Sequence, residues 1–211
     1  MLEAWDPRGY AAKMRGHVLS GTDLEADVRF IDMLVGRQTR VLDIGCGIGN
    51  AVAALRRRGH EAFGVDPTDE VLQVAAELYG TAWFRTMQAG EVSLQSLRAE
   101  NLPTEFDVIL MSGNVPAFFS CDELGHIFHH AHELLHPGGQ LVIGTTVHTC
   151  GGPVSQDSNA ENSALRLDHR YADWHLSEFR PDSKWSVSVF TAAGTRPPAH
   201  GPDGIFILPP A

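Results

Sequence analysis

Apolar and polar positions change period repeatedly along the chain, and each change predicts an element. Val41-Leu42-Asp43-Ile44 is a short apolar run that enters Gly45-Cys46-Gly47-Ile48-Gly49, the signature of a buried strand leading into a glycine loop. Asn50 to Arg58 reads as a helix whose end is marked by Arg56, Arg57 and Arg58 and then Gly59, a cationic last turn followed by a glycine stop. Ala62 to Asp66 predicts a second strand. Val71, Leu72, Ala75, Leu78 and Tyr79 then fall on one helical face, behind a Thr68 or Asp69 cap and ahead of Gly80. Trp83 to Gln88 reads as a third strand and Phe106 to Met111 as a fourth, the latter an apolar run of the kind buried on both faces.

Leu124, Ile127, Phe128, Ala131, Leu134 and Leu135 recur at helical spacing over residues 122 to 136, and His136-Pro137-Gly138-Gly139 stops that helix before a fifth strand, Gln140 to Thr145. Leu165, Leu167 and Tyr171 alternate, as do Trp185, Val187 and Val189, so two more strands follow as an antiparallel pair. Strand and helix alternating in this way predict an α/β fold with a mostly parallel sheet covered on both faces. Residues 149 to 164 are polar and glycine-rich, so any helix there must be short. Residues 192 to 211 hold five prolines without a period and are expected to be a flexible tail.

The glycine loop narrows the chemistry. Gly45, Gly47 and Gly49 let the backbone turn tightly and approach a ligand. A dinucleotide calls for Gly-x-Gly-x-x-Gly, with its pyrophosphate at the helix N-terminus, whereas this chain has the tighter Gly-x-Gly-x-Gly and an acid, Asp43, that would repel a pyrophosphate. A cationic ligand suits Asp43 better, and S-adenosylmethionine carries a sulfonium and an ammonium. The run Val41 to Gly49, with Asp66 closing the next strand, resembles the class I S-adenosylmethionine-dependent methyltransferases. The helix over 122 to 136, the Pro-Gly-Gly turn and the strand after it extend the resemblance, which covers about residues 40 to 191.

That resemblance implies a single Rossmann-like, seven-stranded sheet in the order 3-2-1-4-5-7-6 with helices on both faces. It divides the chain into an N-terminal helical lid (1–38), a cofactor-binding core (39–148) and C-terminal strands (149–191). It also implies methyl transfer from S-adenosylmethionine by in-line displacement, leaving S-adenosylhomocysteine; the acidic charge balance and the short chain favour a small-molecule acceptor. Asp43, Gly45, Cys46, Gly47 and Gly49 would hold the cofactor at the loop, and Asp66, followed by Pro67, would take its ribose hydroxyls. Gly90-Glu91-Val92 stands where the family usually shows Gly-Asp against the adenine; Glu91 as a solvated loop acid is the alternative.

Ser112-Gly113-Asn114 follows the fourth strand, at the switch in strand order where open α/β sheets bind ligands, with Asn114 hydrogen-bonding the ammonium or the substrate, or simply forming the turn. Arg15, in the lid with Tyr10, Met14 and His17, is a candidate for the methionine carboxylate or a solvated helix residue. If the acceptor needs a base, His17 and His148 are the candidates on chemistry alone. Asn114 is followed by Val115-Pro116-Ala117-Phe118 rather than two prolines and an aromatic, which counts against nucleobase or amide nitrogen as the target. An NAD(P)-binding oxidoreductase and a non-catalytic S-adenosylmethionine-binding relative stand as rivals.

Charge and composition trim the partner list. Sixteen Lys and Arg against 26 Asp and Glu give a net charge of −10, which opposes unspecific adsorption to nucleic acid or anionic lipid. No apolar run approaches a membrane span, and the first ten residues lack a secretory pattern, so a soluble cytoplasmic protein is expected. Cys46, Cys121 and Cys150 are odd in number and show no paired spacing, which predicts neither a disulfide framework nor a zinc site. His126, His129, His130, His132 and His136 lie largely opposite the apolar stripe of their helix and read as a polar outer face rather than a metal site. Oligomeric state does not follow from these patterns.

Overall fold

The computed structural model describes residues 6–194. Its strands are β1 (Arg40–Ile44), β2 (Glu61–Asp66), β3 (Phe84–Thr86), β4 (Phe106–Met111), β5 (Leu135–Thr146), β6 (Leu165–Tyr171) and β7 (Trp185–Ala192). The helices are α1 (Pro7–Leu19), α2 (Ala26–Leu34), α3 (Asn50–Arg57), α4 (Asp69–Tyr79), α5 (Leu94–Ala99), α6 (Cys121–Leu134) and α7 (Pro153–Asn162). The strands form one seven-stranded sheet in the order 3-2-1-4-5-7-6, with β7 antiparallel to both β5 and β6. Architecture and strand order are those implied by the resemblance.

Alternation along the central strands feeds two layers. Leu42 and Ile44, Ile109 and Met111, and Leu141 and Ile143 pack with Leu124, Phe128 and Leu134 of α6. Their neighbours Val41, Val108, Leu110 and Val142 face the other way, onto Val28 and Ile31 of α2 and Val52 and Leu55 of α3. A strand apolar at every position is therefore what a doubly covered sheet requires. A smaller cluster joins Ala11 and Met14 of α1 to Ile48 and to Val71 of α4, which holds α1 across the carboxyl ends of the strands. Asp6 starts α1 by accepting from the Gly9 amide at 3.0 Å.

Several boundaries differ from expectation for local reasons. Strand β5 begins directly after α6, so His136-Pro137-Gly138-Gly139 is a bulge inside the strand rather than a turn before it: Leu135 pairs with Phe106, Gln140 with Val108, and Gly138 has φ +76°. The glycine-rich segment holds a ten-residue helix, α7, begun by Pro153 at its first position. Its polar sequence hides it because Arg170 of β6 anchors it from outside, with two guanidinium bonds of 3.0 and 2.7 Å to Asp157. Residue 192 still belongs to β7, and the rest of the expected tail from residue 195 lies outside the described residues. Cys150 takes part in a disulfide, which the odd cysteine count did not anticipate, while Cys46 is free and buried.

Candidate functional site

A cavity of about 740 Å³ opens at the carboxyl ends of β1, β2 and β4. Its floor is the glycine loop. The Gly45 and Cys46 amides donate to the Val65 carbonyl at 2.8 and 3.1 Å, so the loop is tied to β2, and Gly45, Gly47 and Gly49 all have positive φ. The three glycines serve different ends. A Cβ on Gly45 would sit 2.5 Å from Val115, and one on Gly49 would run into the Phe84 ring, so both are required by packing. A Cβ on Gly47 would meet only Tyr10, its hydroxyl at 3.9 Å and its ring at 4.0 Å, beside the cavity that both residues line.

Three buried carboxylates surround this floor. Asp66 is stitched to the loop: one oxygen accepts from the Gly47 amide at 3.0 Å and the other from the Thr68 amide at 2.9 Å. Each carboxylate oxygen has a second lone pair, so Asp66 can hold the loop and still accept from a ligand diol. Asp43 is only 1% exposed, and neither of its oxygens has a hydrogen-bond partner among the described residues. Burial above all, then the charges of Asp27 and Asp66, push its carboxyl well above the usual range. Asp27, from the first turn of α2, is also raised by burial, partly offset by hydrogen bonds from the Ser112 hydroxyl and from the Val28 amide at 2.8 Å.

No Lys, Arg or His lines the cavity among the described residues. Three buried carboxyl groups without a counter-charge resist ionising together, and an incoming cation is what would favour their charged form. Asp43, with two orphaned oxygens, is the group such a charge would satisfy. Burial, with Asp43 and Asp66 nearby, likewise pushes the Cys46 thiol far up, so that side chain is neutral filler rather than a nucleophile. Tyr10 covers the loop from α1, its phenol raised by burial and by the same two acids.

Of the residues expected here from sequence, Asp43, Gly45, Cys46, Gly47, Asp66, Pro67, Ser112 and Gly113 line the cavity. The others are engaged elsewhere. Glu91 turns back to accept from the Gln88 amide at 3.3 Å and Val92 is buried in the core, so Gln88 and Ala89, not Gly90-Glu91-Val92, form that wall. Asn114 adopts φ +68° and spends its carbonyl oxygen on the Thr145 hydroxyl, the Thr146 amide and the Thr146 hydroxyl at 2.8–3.0 Å, clamping the end of β4 to β5. Arg15 reaches Glu77 on α4 at 3.7 Å, out in solvent.

His17 contacts Thr22 at 3.4 Å at the end of α1, and His148 is exposed in the loop after β5. Neither lines the cavity. On α6, His129 and His130 both lean on Glu133. No trio of His, Cys, Asp or Glu among the described residues is placed to hold a metal ion.

Sequence reasoning missed Asp27 and the aromatic wall of Phe118, Phe119, Trp174 and Trp185. A signal for Asp27 was present. Asp27, Phe30, Ile31 and Leu34 repeat at helical spacing, so an acid heads the apolar stripe of α2, where it has to be buried.

A family model described as a methyltransferase domain matches residues 41–139, from the start of β1 to the bulge in β5. A ubiquinone biosynthesis O-methyltransferase from Alkalilimnicola ehrlichii is 28% identical over 144 residues, 67% of this chain and 53% of that protein. A protein of the same name from Caulobacter sp. (strain K31) is 28% identical over 220 residues, 98% of this chain and 81% of the relative. The chain thus spans about half the length of the Alkalilimnicola relative. Among solved structures, a TehB-like SAM-dependent methyltransferase from Corynebacterium glutamicum superposes with a TM-score of 0.77 at 26% identity, covering 88% of this chain and 97% of its own.

Proposed function

Because this chain belongs to the class I S-adenosylmethionine-dependent methyltransferases, we propose that it transfers a methyl group from S-adenosylmethionine to a small-molecule acceptor bound in the same cavity. One observation carries the reading: Asp43, buried and without a partner, sits beside a glycine loop whose central residue leaves the cavity floor open. Such a carboxylate is costly in an empty protein and useful to one that binds a cation. Asp66 fits the ribose hydroxyls, Gln88 and Ala89 the adenine side, and Asp43 with Ser112 and Gly113 the amino-acid end.

When bound, the cofactor supplies a methyl carbon already activated by its sulfonium, so the protein needs no covalent nucleophile. The chain's residues then have three tasks. The loop and Asp66 fix the donor's direction, Val115 and the aromatic wall of Phe118, Phe119, Trp174 and Trp185 bring the acceptor in line, and α1 with Tyr10 covers the pair from water. An oxidoreductase using a dinucleotide is opposed by Asp43 and Asp27, which would face its pyrophosphate with no cation between. The carboxylate-rich cavity likewise supports a small molecule over nucleic acid. No helix among the described residues is long and apolar enough to cross a membrane.

The experiment is an acceptor screen that reads S-adenosylhomocysteine release across phenols, amines, carboxylates and thiols. Turnover with one class supports the reading. A protein that binds the cofactor yet releases nothing with any class is instead a binding relative.

A further inference from the structure

Strand order puts two different chemistries at opposite ends of the cavity. Asp66 ends β2 and Gln88–Ala89 follow β3, whereas Trp174, after β6, packs against β5, Trp185 begins β7, and Phe118 and Phe119 follow β4. A donor held by the glycine loop and Asp66 occupies the first end and leaves the aromatic end open. Trp174 packs against β5 so closely that a Cβ at Gly144 would run into the edge of its ring. Phe118, at 70% exposed, forms the outer lip.

Asp27 stands between the two ends. Its side chain is held against Ser112 at the end of β4, and Phe30, one turn along the same face of α2, meets the Trp174 ring edge-on with centroids 5.5 Å apart. Two further buried groups in this wall lack partners among the described residues: both Asp43 oxygens and the Trp185 indole nitrogen. The first asks for positive charge and the second for a hydrogen-bond acceptor. Asp23 and Glu123 also line the cavity, but Asp23 pairs with Arg29 at 3.0 Å and Glu123 caps α6, so Asp27 is the buried acid left for a second ligand.

Resting on the methyltransferase reading, we infer that the acceptor is a primary or secondary amine carried on an oxygen-bearing aromatic ring. The ring is held by Trp174, Trp185 and Phe118, and Asp27 binds the ammonium and takes its proton. An aromatic ring packed among Trp174, Trp185 and Phe118, with its cation at a carboxylate, is a favourable pairing in a chamber that no other cation lines among the described residues. A hydroxyl acceptor would have to develop negative charge on oxygen beside Asp27 and Asp43, with no Lys, Arg or His lining the cavity to offset it.

The amine's charge stays positive at both ends of the reaction. The ammonium gives one proton to Asp27, and the freed nitrogen pair forms the bond to the methyl carbon as the carbon–sulfur bond breaks. That bond's pair stays on sulfur as a neutral thioether. The methylated product leaves as an ammonium, and the proton on Asp27 returns to solvent.

The test is calorimetric titration of three matched probes into the protein saturated with S-adenosylhomocysteine: tyramine, tyrosol and 3-(4-hydroxyphenyl)propanoate, which differ in carrying a cation, a neutral hydroxyl or an anion. Tyramine should bind tightest and the propanoate weakest, separated by about tenfold or more. Asp27→Asn, which keeps the side chain's shape, should erase the preference for tyramine over tyrosol, and Trp174→Ala should weaken all three. The ranking on the unsubstituted protein requires no variant to fold. Equal or tighter binding of the propanoate, no binding of any probe, or an unchanged ranking in Asp27→Asn overturns the inference. Failure of S-adenosylhomocysteine itself to bind would be the separate failure of the methyltransferase reading.

Discussion

Replacing Gly49 by alanine and, separately, Gly47 by alanine adds the same methyl group to the same loop in two different surroundings. At Gly49 the new Cβ would lie 2.5 Å from Phe84 Cε1 and 3.2 Å from the Ala75 Cβ, at φ +75°. The left-handed backbone costs an L-residue about 1–2 kcal/mol, and forcing a methyl into a packed contact adds about 1–3 kcal/mol. Gly49→Ala therefore loses about 2–5 kcal/mol, which in a chain of this size lowers Tm by about 4–20 °C.

At Gly47 φ is +54° but the nearest atom to the new Cβ is 3.9 Å away, so only the backbone cost remains, about 1–2 kcal/mol. Its methyl instead lies beside the cavity, where the donor is placed. Differential scanning fluorimetry and calorimetric titration of S-adenosylhomocysteine separate the two effects. Gly49→Ala should show the larger loss of Tm, about 1.5- to 4-fold that of Gly47→Ala, and Gly47→Ala the larger loss of affinity, about tenfold or more. Equal Tm losses would refute the packing argument, and full affinity in Gly47→Ala would refute the placement of the ligand against that loop.

Asp43 couples binding to pH. Because its folded-state pKa is raised, its contribution to stability is whole below the ordinary 3.8 and is lost as pH rises toward the folded value. Ligand-free Asp43→Asn, which does not titrate, should thus melt higher than the parent at neutral pH, with the gap closing toward pH 4 by fluorimetry and with cofactor binding lost. Asn114→Ala leaves the Thr146 amide and two threonine hydroxyls without their shared acceptor and should cost about 1–3 kcal/mol in urea unfolding. Arg15→Ala removes only a solvent-exposed pair with Glu77, so stability should change by about 0–1 kcal/mol and cofactor affinity should stay within experimental error.

Most of the sheet is legible because a doubly covered strand has to be apolar throughout. Phe106 to Met111 is such a run, and its expected bounds match β4. Elements held by polar contacts are not legible in this way. Helix α7 has little amphipathic character and depends on Arg170 from a strand that follows it in sequence, a partnership no local window contains. The bulge at His136 to Gly139 reads as a helix stop because proline and glycines serve either purpose.

The site divides along the same line. The glycine loop and the two strand-end acids are local signals tied to backbone geometry, so Asp43, Gly47 and Asp66 were identifiable from their spacing. Asn114, Glu91 and Arg15 have the right chemistry, but packing gave each a nearer partner: β5, the Gln88 amide and Glu77. Asp27 and the tryptophans join the cavity from opposite ends of the chain, so only the folded arrangement brings them to the glycine loop.

Calorimetric titration of S-adenosylhomocysteine into the wild-type protein and into Asp66→Ala tests the central claim most directly. Micromolar affinity in the wild type, about −8 kcal/mol, that disappears in a folded Asp66→Ala protein is the result predicted. No heat of binding to the folded wild type would contradict the assignment of this cavity to the methyl donor.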